Sequence, residues 1–303
     1  MRLYILAITS LILNSCFTGV ESTPKIKYDD SDNEKSSIIT HEQKILSDIK
    51  NESFCNWEIG KEFIVCDNKI SLIFSTHEAI DSLEGSVIKY LGHSTSPSVT
   101  GTTNTDIYFS HNDSDTLSYH VNSSPQEINN NNSFDIPFTI QKSVVDAVSN
   151  KILNKKYYII TSSIYDSKGD NTIGQKFIPV TITDIKPGNF QYPIKVIFTN
   201  EQGKSNWVYM TIGDGLQSTR NFETIFSLSN PREKYPKITD TNWEYITKNI
   251  VTQGMTKEEC RLALGVPILV DRRPTYAGVV EFWIYDYGTQ LIFEDGLLKE
   301  FKR

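Results

Sequence analysis

Short runs of alternating apolar and polar residues, separated by clusters of turn residues, fill the chain from residue 54 to about residue 228. A period of two places one face of a strand in a core and the other in solvent. Val, Ile, Thr and aromatic residues are plentiful, and these residues suit a pleated surface better than a helix. The pattern predicts a mainly β protein. One amphipathic helix is expected within it, over residues 140–153.

The strands fall into two similar halves, which we predict to be a first β module over 54–135 and a second over 136–230. The halves resemble each other at two pairs of stretches, residues 60–65 with 154–159 and residues 85–92 with 180–188. The order of strand, turn, strand, Gly-marked loop and hairpin has spacings that suit two small five-stranded barrels of the SH3-like kind. One larger sandwich is the alternative.

The first sixteen residues have the features of a lipoprotein signal. Arg2 supplies a positive start, residues 3–13 are mostly apolar, and Leu13-Asn14-Ser15-Cys16 follows. This stretch is too short to span a bilayer core of about 30 Å, so residues 1–16 are interpreted as a cleaved signal peptide. The last four residues resemble a bacterial lipobox, which implies an acylated N-terminal Cys16. A plain secretory signal is the alternative.

Residues 17–50 are predicted to form a flexible tether. The polar run over 28–37 and the low apolar content cannot offset the entropy lost on ordering. Several acyl chains on Cys16 would exceed the two signals that stable membrane anchoring needs. Phe17, rather than Asp, follows the cysteine, and by resemblance to envelope sorting signals this implies the outer membrane. We therefore expect a lipid-anchored protein of a bacterial cell envelope.

Charge and cysteine usage limit the classes of partner. The net charge of -7 and the pI near 5.3 argue against nucleic acid as a partner. Cys55 and Cys66, which ten residues separate, could form a disulfide in an oxidising compartment or remain free. Cys260 is expected to be a small buried hydrophobe. The histidines lack metal-ligand spacing and no phosphate-loop or nucleophile-elbow motif occurs, so no metal, cofactor or catalytic residue is predicted.

Helix and hairpin signals are dense over residues 238–303. Thr256-Lys257-Glu258-Glu259 is a capping box, and Gly254 and Gly265 are placed to end helices. Asp295-Gly296 is a two-residue hairpin signal. We predict an ααβββ domain, in which two helices cover one face of a three-stranded antiparallel meander. The first helix is expected over 242–252 with Asp240 as its cap.

Three blocks in this domain resemble the SmpA/OmlA (BamE-like) small outer-membrane lipoproteins: residues 254–267, 281–285 and 291–298. That fold is similar to one repeat of the β-lactamase-inhibitor proteins. The resemblance covers residues from about 240 to 303. It implies a protein that acts by binding other proteins, in the best-known case as an accessory of outer-membrane β-barrel assembly. The chain departs from the family by the β modules that precede this domain.

The candidate contacts with a partner are residues of this domain that caps and hairpins do not require. Trp283 and Tyr285 share one side of a strand because they are two residues apart. If helices cover that side they are buried, and if not they form a contact surface. The remaining candidates are Tyr287 after the strand, and Arg272, Arg273 and Tyr276 in the loop before it.

The function predicted from these features is that of a non-catalytic envelope lipoprotein that binds or scaffolds unidentified envelope proteins or the cell wall. One alternative is a protein inhibitor, or an accessory of a cell-wall enzyme, by analogy with the inhibitor fold. Another is a purely structural tethered module.

Overall fold

Three antiparallel sheets follow one another along the chain in the computed structural model, which describes residues 45–76, 82–97, 101–112, 115–131, 134–213, 220–276 and 278–302. The prediction of a mainly β protein is confirmed. Cys16 and the tether up to residue 44 lie outside the described residues. Among the residues that are described, no helix has the length and apolar character needed to cross a membrane.

The first sheet has six strands in the order β2-β5-β4-β3-β1-β6. Its strands are β1 (Glu62–Val65), β2 (Phe74–Thr76), β3 (Val87–Pro97), β4 (Thr103–His111), β5 (Asp115–Val121) and β6 (Thr139–Gln141). Helix α1 (Pro125–Asn130) lies between β5 and β6 and begins with a capping box at Ser124. Apolar side chains such as Phe63 and Phe109, both fully buried, form the core of this module.

The second sheet has seven strands in the order β13-β7-β10-β11-β12-β8-β9. Its strands are β7 (Lys156–Ile159), β8 (Ser163–Tyr165), β9 (Asn171–Ile173), β10 (Ile178–Pro187), β11 (Ile194–Asn200), β12 (Ser205–Met210) and β13 (Phe226–Ser227), with helix α3 (Phe222–Ile225) before the last. Helix α2 (Lys142–Ile152) connects β6 to β7, as the spacing of its apolar residues predicts. Val144, Val148 and Ile152 on its apolar face are buried in the second core.

The two sheets repeat one topology. Strand β1 pairs with β3 and β6 as β7 pairs with β10 and β13, and the meander β3-β4-β5 corresponds to β10-β11-β12. Strand β5 then pairs with β2 as β12 pairs with β8. Both meanders have a register shift at the same place, after Tyr90 opposite Phe109 and after Ile182 opposite Phe198. Strand β9 is the addition in the second sheet.

The similarity between residues 60–65 and 154–159 reflects this repeat. Gly60 and Asn154 both have a positive φ, of 92° and 60°, and their N–H groups donate to the carbonyls of Tyr90 and Ile182 at 2.7 and 2.9 Å. The other pair, 85–92 with 180–188, is displaced by three residues at its start and by four at its end. The sequence comparison paired Gly92 with Gly188. In the structure Gly92 follows the register shift inside β3, whereas Gly188 lies beyond the end of β10.

The third sheet is a four-stranded meander preceded by two helices. Its elements are α4 (Asp240–Thr247), α5 (Lys257–Leu264), β14 (Leu269–Thr275), β15 (Gly278–Ile284), β16 (Gln290–Glu294) and β17 (Leu297–Lys302). The expected three-stranded sheet is corrected by β14, which pairs with β15 along its whole length. The predicted loop before the strand is therefore itself an edge strand, in which Pro274 is tolerated.

Helix α5 begins as predicted, whereas α4 differs from the prediction at both ends. The capping box at Thr256 is formed, with the Glu259 side chain accepting the N–H of Thr256 at 2.7 Å. Helix α4 is capped by Thr239 rather than Asp240 and ends at Thr247. Asn249 then takes a positive φ of 59°, where Asn is tolerated, and its side chain donates to the carbonyl of Gly174 at 2.8 Å.

The loop before β10 packs against both helices. The ring of Phe177 stacks on Trp243 of α4 at a centroid distance of 5.5 Å. The buried ammonium group of Lys176 donates to the carbonyl of Ala263 near the end of α5 at 2.8 Å. Burial lowers the pKa of Lys176 to about 8, since desolvation disfavours the charged form.

Candidate functional site

The inner face of the third sheet is a closed core under α4 and α5. Trp283 is fully buried there, 4.5 Å from the ring of Phe293 and 4.9 Å from the guanidinium of Arg261. Tyr285 is also buried, and its hydroxyl donates to the carbonyl of Gly265 at 3.3 Å. Of the two alternatives that the sequence left open for Trp283 and Tyr285, the structure shows burial under the helices, so they do not form a contact surface.

A buried carboxylate holds Trp283 in this orientation. Glu281, 3 % exposed, accepts from Trp283 Nε1 at 3.1 Å, from Lys257 Nζ at 2.6 Å and pairs with Arg272 Nε at 3.1 Å. Burial opposes ionisation of Glu281, but the bonds from Lys257 and Trp283 and the nearby positive charges outweigh it, so its pKa is lowered. The carboxylate therefore points into the molecule with its charge compensated.

The opposite side of the sheet, which we call the outer face, has an apolar centre. Val280, Phe282 and Ile284 alternate along β15, and Ile292 of β16 lies directly beside Phe282. All four are half-buried, and none is part of a hydrophobic core in the described ranges. Leu269 of β14, 54 % exposed, extends the apolar centre beside Ile284.

Charged residues border this apolar centre on both sides. The pairing places Asp271 beside Phe282 on one side, and Glu300 beside Ile292 on the other. Arg273 contributes a guanidinium 4.8 Å from the Phe282 ring and 2.7 Å from the Asp271 carboxylate. An apolar centre within a charged rim is the usual anatomy of a protein–protein interface.

The other predicted contacts are divided between the two sides. Arg273 lies on the outer face, whereas Arg272, adjacent in β14, pairs with the inner carboxylate Glu281. Tyr276 is fully exposed at the turn between β14 and β15. The side chain of Tyr287 lies outside the described residues, although its backbone forms part of the turn Asp286–Gly288.

Sequence reasoning missed Phe282 and Ile292 as candidate contacts. Residues 279–285 place apolar side chains on both sides of the strand. This pattern indicates that the helices cover one side and that another element or a partner covers the other. The candidates that were named, Trp283 and Tyr285, lie on the other side of the strand, which is buried under the helices.

The cysteines do not form a second site. Cys55 is exposed in a turn, Cys66 packs against the second core, and both are free thiols, which is one of the two alternatives that the sequence left open. Burial raises the pKa of Cys66 to about 11, and burial together with Glu259 raises that of Cys260 to about 12. Within the described ranges, no group of three or more His, Cys, Asp or Glu side chains could hold a metal ion.

The outer face is the candidate site because it combines an aromatic residue, branched apolar side chains and an arginine on a rigid sheet. Aromatic and arginine side chains are enriched among the residues that dominate binding energy at protein interfaces. Comparisons with protein-family models, with curated proteins and with solved structures found no match to this chain.

Proposed function

We propose that this protein is an envelope lipoprotein, anchored at a bacterial outer membrane, that binds another protein through the outer face of its third sheet. The observation that carries the proposal is the row of Val280, Phe282, Ile284 and Ile292, which lies outside every core of the described chain. Full burial of one such side chain is worth about 1.5–3 kcal/mol. Since the four side chains are already half-buried, a partner that covers the row gains part of this amount from each of them.

The fold supports this scaffolding role. The repeat of one six-strand order in the first two sheets favours two separate barrel-like modules, of the SH3-like kind, over one sandwich. The order α4, α5, β15, β16, β17 follows the order expected of a BamE-like domain, with β14 as an addition. The lipobox-like sequence ending at Cys16 supports attachment to the membrane.

Site-specific photo-crosslinking in cells tests the proposed face. A photo-reactive phenylalanine analogue replaces Phe282 or Ile292, and the matched control places it at Phe190, an aromatic residue of the second module that is 61 % exposed. We expect one discrete protein adduct from positions 282 and 292 and none from 190. Equal labelling at all three positions, or none at 282 and 292, would contradict the proposal.

Fractionation of cells that produce Cys16→Ala tests the anchor separately. We expect the wild-type protein in the outer-membrane fraction and the variant in the soluble periplasmic fraction, because the variant lacks the acylated residue. Retention of the variant in the membrane would refute the lipobox interpretation. The crosslinking result does not depend on this outcome, provided that both proteins are exported.

One observation favours the inhibitor alternative. Tyr276 protrudes, fully exposed, from the turn beside the outer face, as an inhibitory loop would. If the crosslinked partner is a cell-wall hydrolase, the purified protein should lower its activity, and Tyr276→Ala should restore that activity. A partner without enzymatic activity would leave the scaffold as the function.

A further inference from the structure

An aromatic cluster covers part of the outer side of the second sheet, away from the second core. The rings of Tyr165 on β8 and Trp207 on β12 are stacked, with centroids 4.2 Å apart and planes 9° apart. Tyr209 meets both rings edge-on at 4.9 and 5.6 Å. The three side chains are half-buried and do not belong to a core among the described residues.

Positive charge surrounds this cluster. Lys195 Nζ lies 3.8 Å from the centroid of the Trp207 ring, and Lys186 is directly across from Lys195 on β10. The guanidinium of Arg220 lies 5.9 Å from the ring of Tyr192, which in turn stacks near Tyr209. In a chain with a net charge of -7, this collection of cations is a local reversal of sign.

Within the described ranges, the lysine pair forms one salt bridge, from Lys186 to Asp184. The pKa of Lys195 is lowered, first by desolvation and then by the charge of Lys186. Asp184 lies 3.3 Å from Lys186, so in the part of the chain that the structure describes one carboxylate pairs with one of the two ammonium groups. An anionic ligand would lower the electrostatic cost of placing these two charges on adjacent strands.

The first module shows that the fold does not require the cluster. The two sheets share topology, register and the position of the register shift, so equivalent outward residues can be identified from the strand pairing. The equivalents are Ser75 for Tyr165, Ser118 for Trp207, His120 for Tyr209 and Asp106 for Lys195. One module therefore forms the same sheet with small or polar residues at positions where the other has an aromatic–lysine face.

We propose that the aromatic–lysine face, defined by Tyr165, Lys195, Trp207 and Tyr209, binds an acidic peptide segment of a partner protein. A carboxylate of the peptide would pair with Lys195 and Lys186. The aromatic edges would contact the apolar parts of its side chains. This site is independent of the outer face of the third sheet, on which the proposed function rests.

The arrangement of the rings favours a peptide over a carbohydrate. A sugar ring stacks on an open aromatic face, but Trp207 has Tyr165 on one side and the ammonium group of Lys195 over the other. The accessible groups are ring edges, phenolic hydroxyls and ammonium groups. These groups match an extended chain with acidic side chains that lies along the strands.

Fluorescence anisotropy with the full chain tests this inference. The probes are fluorescein-labelled decapeptides with alternating Glu and Val, and with alternating Gln and Val as the neutral match. We expect the Glu peptide to bind at least about tenfold more tightly than the Gln peptide, with an affinity that falls as salt rises. Equal binding of the two peptides, or no binding of either, would overturn the proposal.

Two variants replace a residue of the aromatic–lysine face by the residue at the equivalent position of the first module. Lys195→Asp and Trp207→Ser should each weaken binding of the Glu peptide by about tenfold or more. Ser118→Ala, at the equivalent position of the first module, should leave it unchanged. Lys195→Asp keeps the test decisive if Trp207→Ser unfolds the module.

A competing carbohydrate is the remaining outcome to separate. If polygalacturonate binds with loss on Lys195→Asp while the Glu peptide does not bind, the occupant is an acidic glycan and the peptide proposal is wrong. Photo-crosslinking from position 282 should be the same in Lys195→Asp and in the wild type. The proposals for the two sites can therefore be refuted independently of each other.

Discussion

Phe282 and Trp283 are neighbours in sequence, but their replacement by alanine should have opposite consequences. Trp283→Ala removes a fully buried indole, leaves a cavity beside Phe293 and takes one donor from the buried carboxylate of Glu281. Such a change costs about 3–5 kcal/mol of unfolding free energy. Phe282→Ala shortens a half-buried side chain on the outer face and should cost about 1 kcal/mol or less.

Hydrogen exchange measured by mass spectrometry on the full chain reports these energies module by module. In Trp283→Ala, amides of α5 and β16 should exchange faster, whereas amides of β10 and β11 should change little. In Phe282→Ala, exchange should stay near wild type while crosslinking from position 292 is lost. Equal stability losses for the two variants would refute the assignment of the two faces.

Three further predictions concern titration and thiol reactivity. Glu281→Gln should lower the free energy of unfolding by about 1–3 kcal/mol near pH 7. Because the pKa of Glu281 is lower in the folded state than in the unfolded state, its ionised carboxylate stabilises the protein above the unfolded pKa, and this stabilisation is lost as pH falls. Urea denaturation at pH 3 should therefore show a smaller difference between the variant and the wild type. Lys176 has a folded pKa of about 8, below its unfolded value, so wild-type stability should rise by about 1–2 kcal/mol between pH 8 and 10 relative to Lys176→Met. In the native protein Cys55 should react with a maleimide before Cys66, which is half-buried with a pKa of about 11. If instead neither thiol reacts until a reductant is added, Cys55 and Cys66 form the disulfide that the sequence left open.

Local signals were sufficient to predict the features that depend on neighbouring residues. The capping box at Thr256 and helix α2 are set by interactions three or four residues apart, and both are formed in the structure. Strand β14 was missed because Asp271-Arg272-Arg273-Pro274 lacks apolar alternation. Its extended conformation depends on hydrogen bonds to β15, which no local pattern encodes.

The sequence could not decide which side of β15 faces the helices, because apolar residues occupy both sides. In the structure Trp283 and Tyr285 pack into the core under the helices, and Glu281 on the same side pairs with Lys257, a residue 24 positions earlier on α5. The aromatic–lysine face was equally hidden. Trp207 and Tyr209 are two residues apart and share one side of β12, but Lys195 joins them only through the register of β11 and β12.

Helix α2 has a consequence for how the first two modules respond to force and to proteases. It begins at the residue after β6, and its apolar side is shared with Ile64 and Ile140 of the first sheet and with the second core. A pulling force on the first module is therefore transmitted to the second module through packed side chains rather than through a flexible linker. Limited proteolysis should release no separate first module by cleavage between β6 and β7, because such cleavage requires the second core to open.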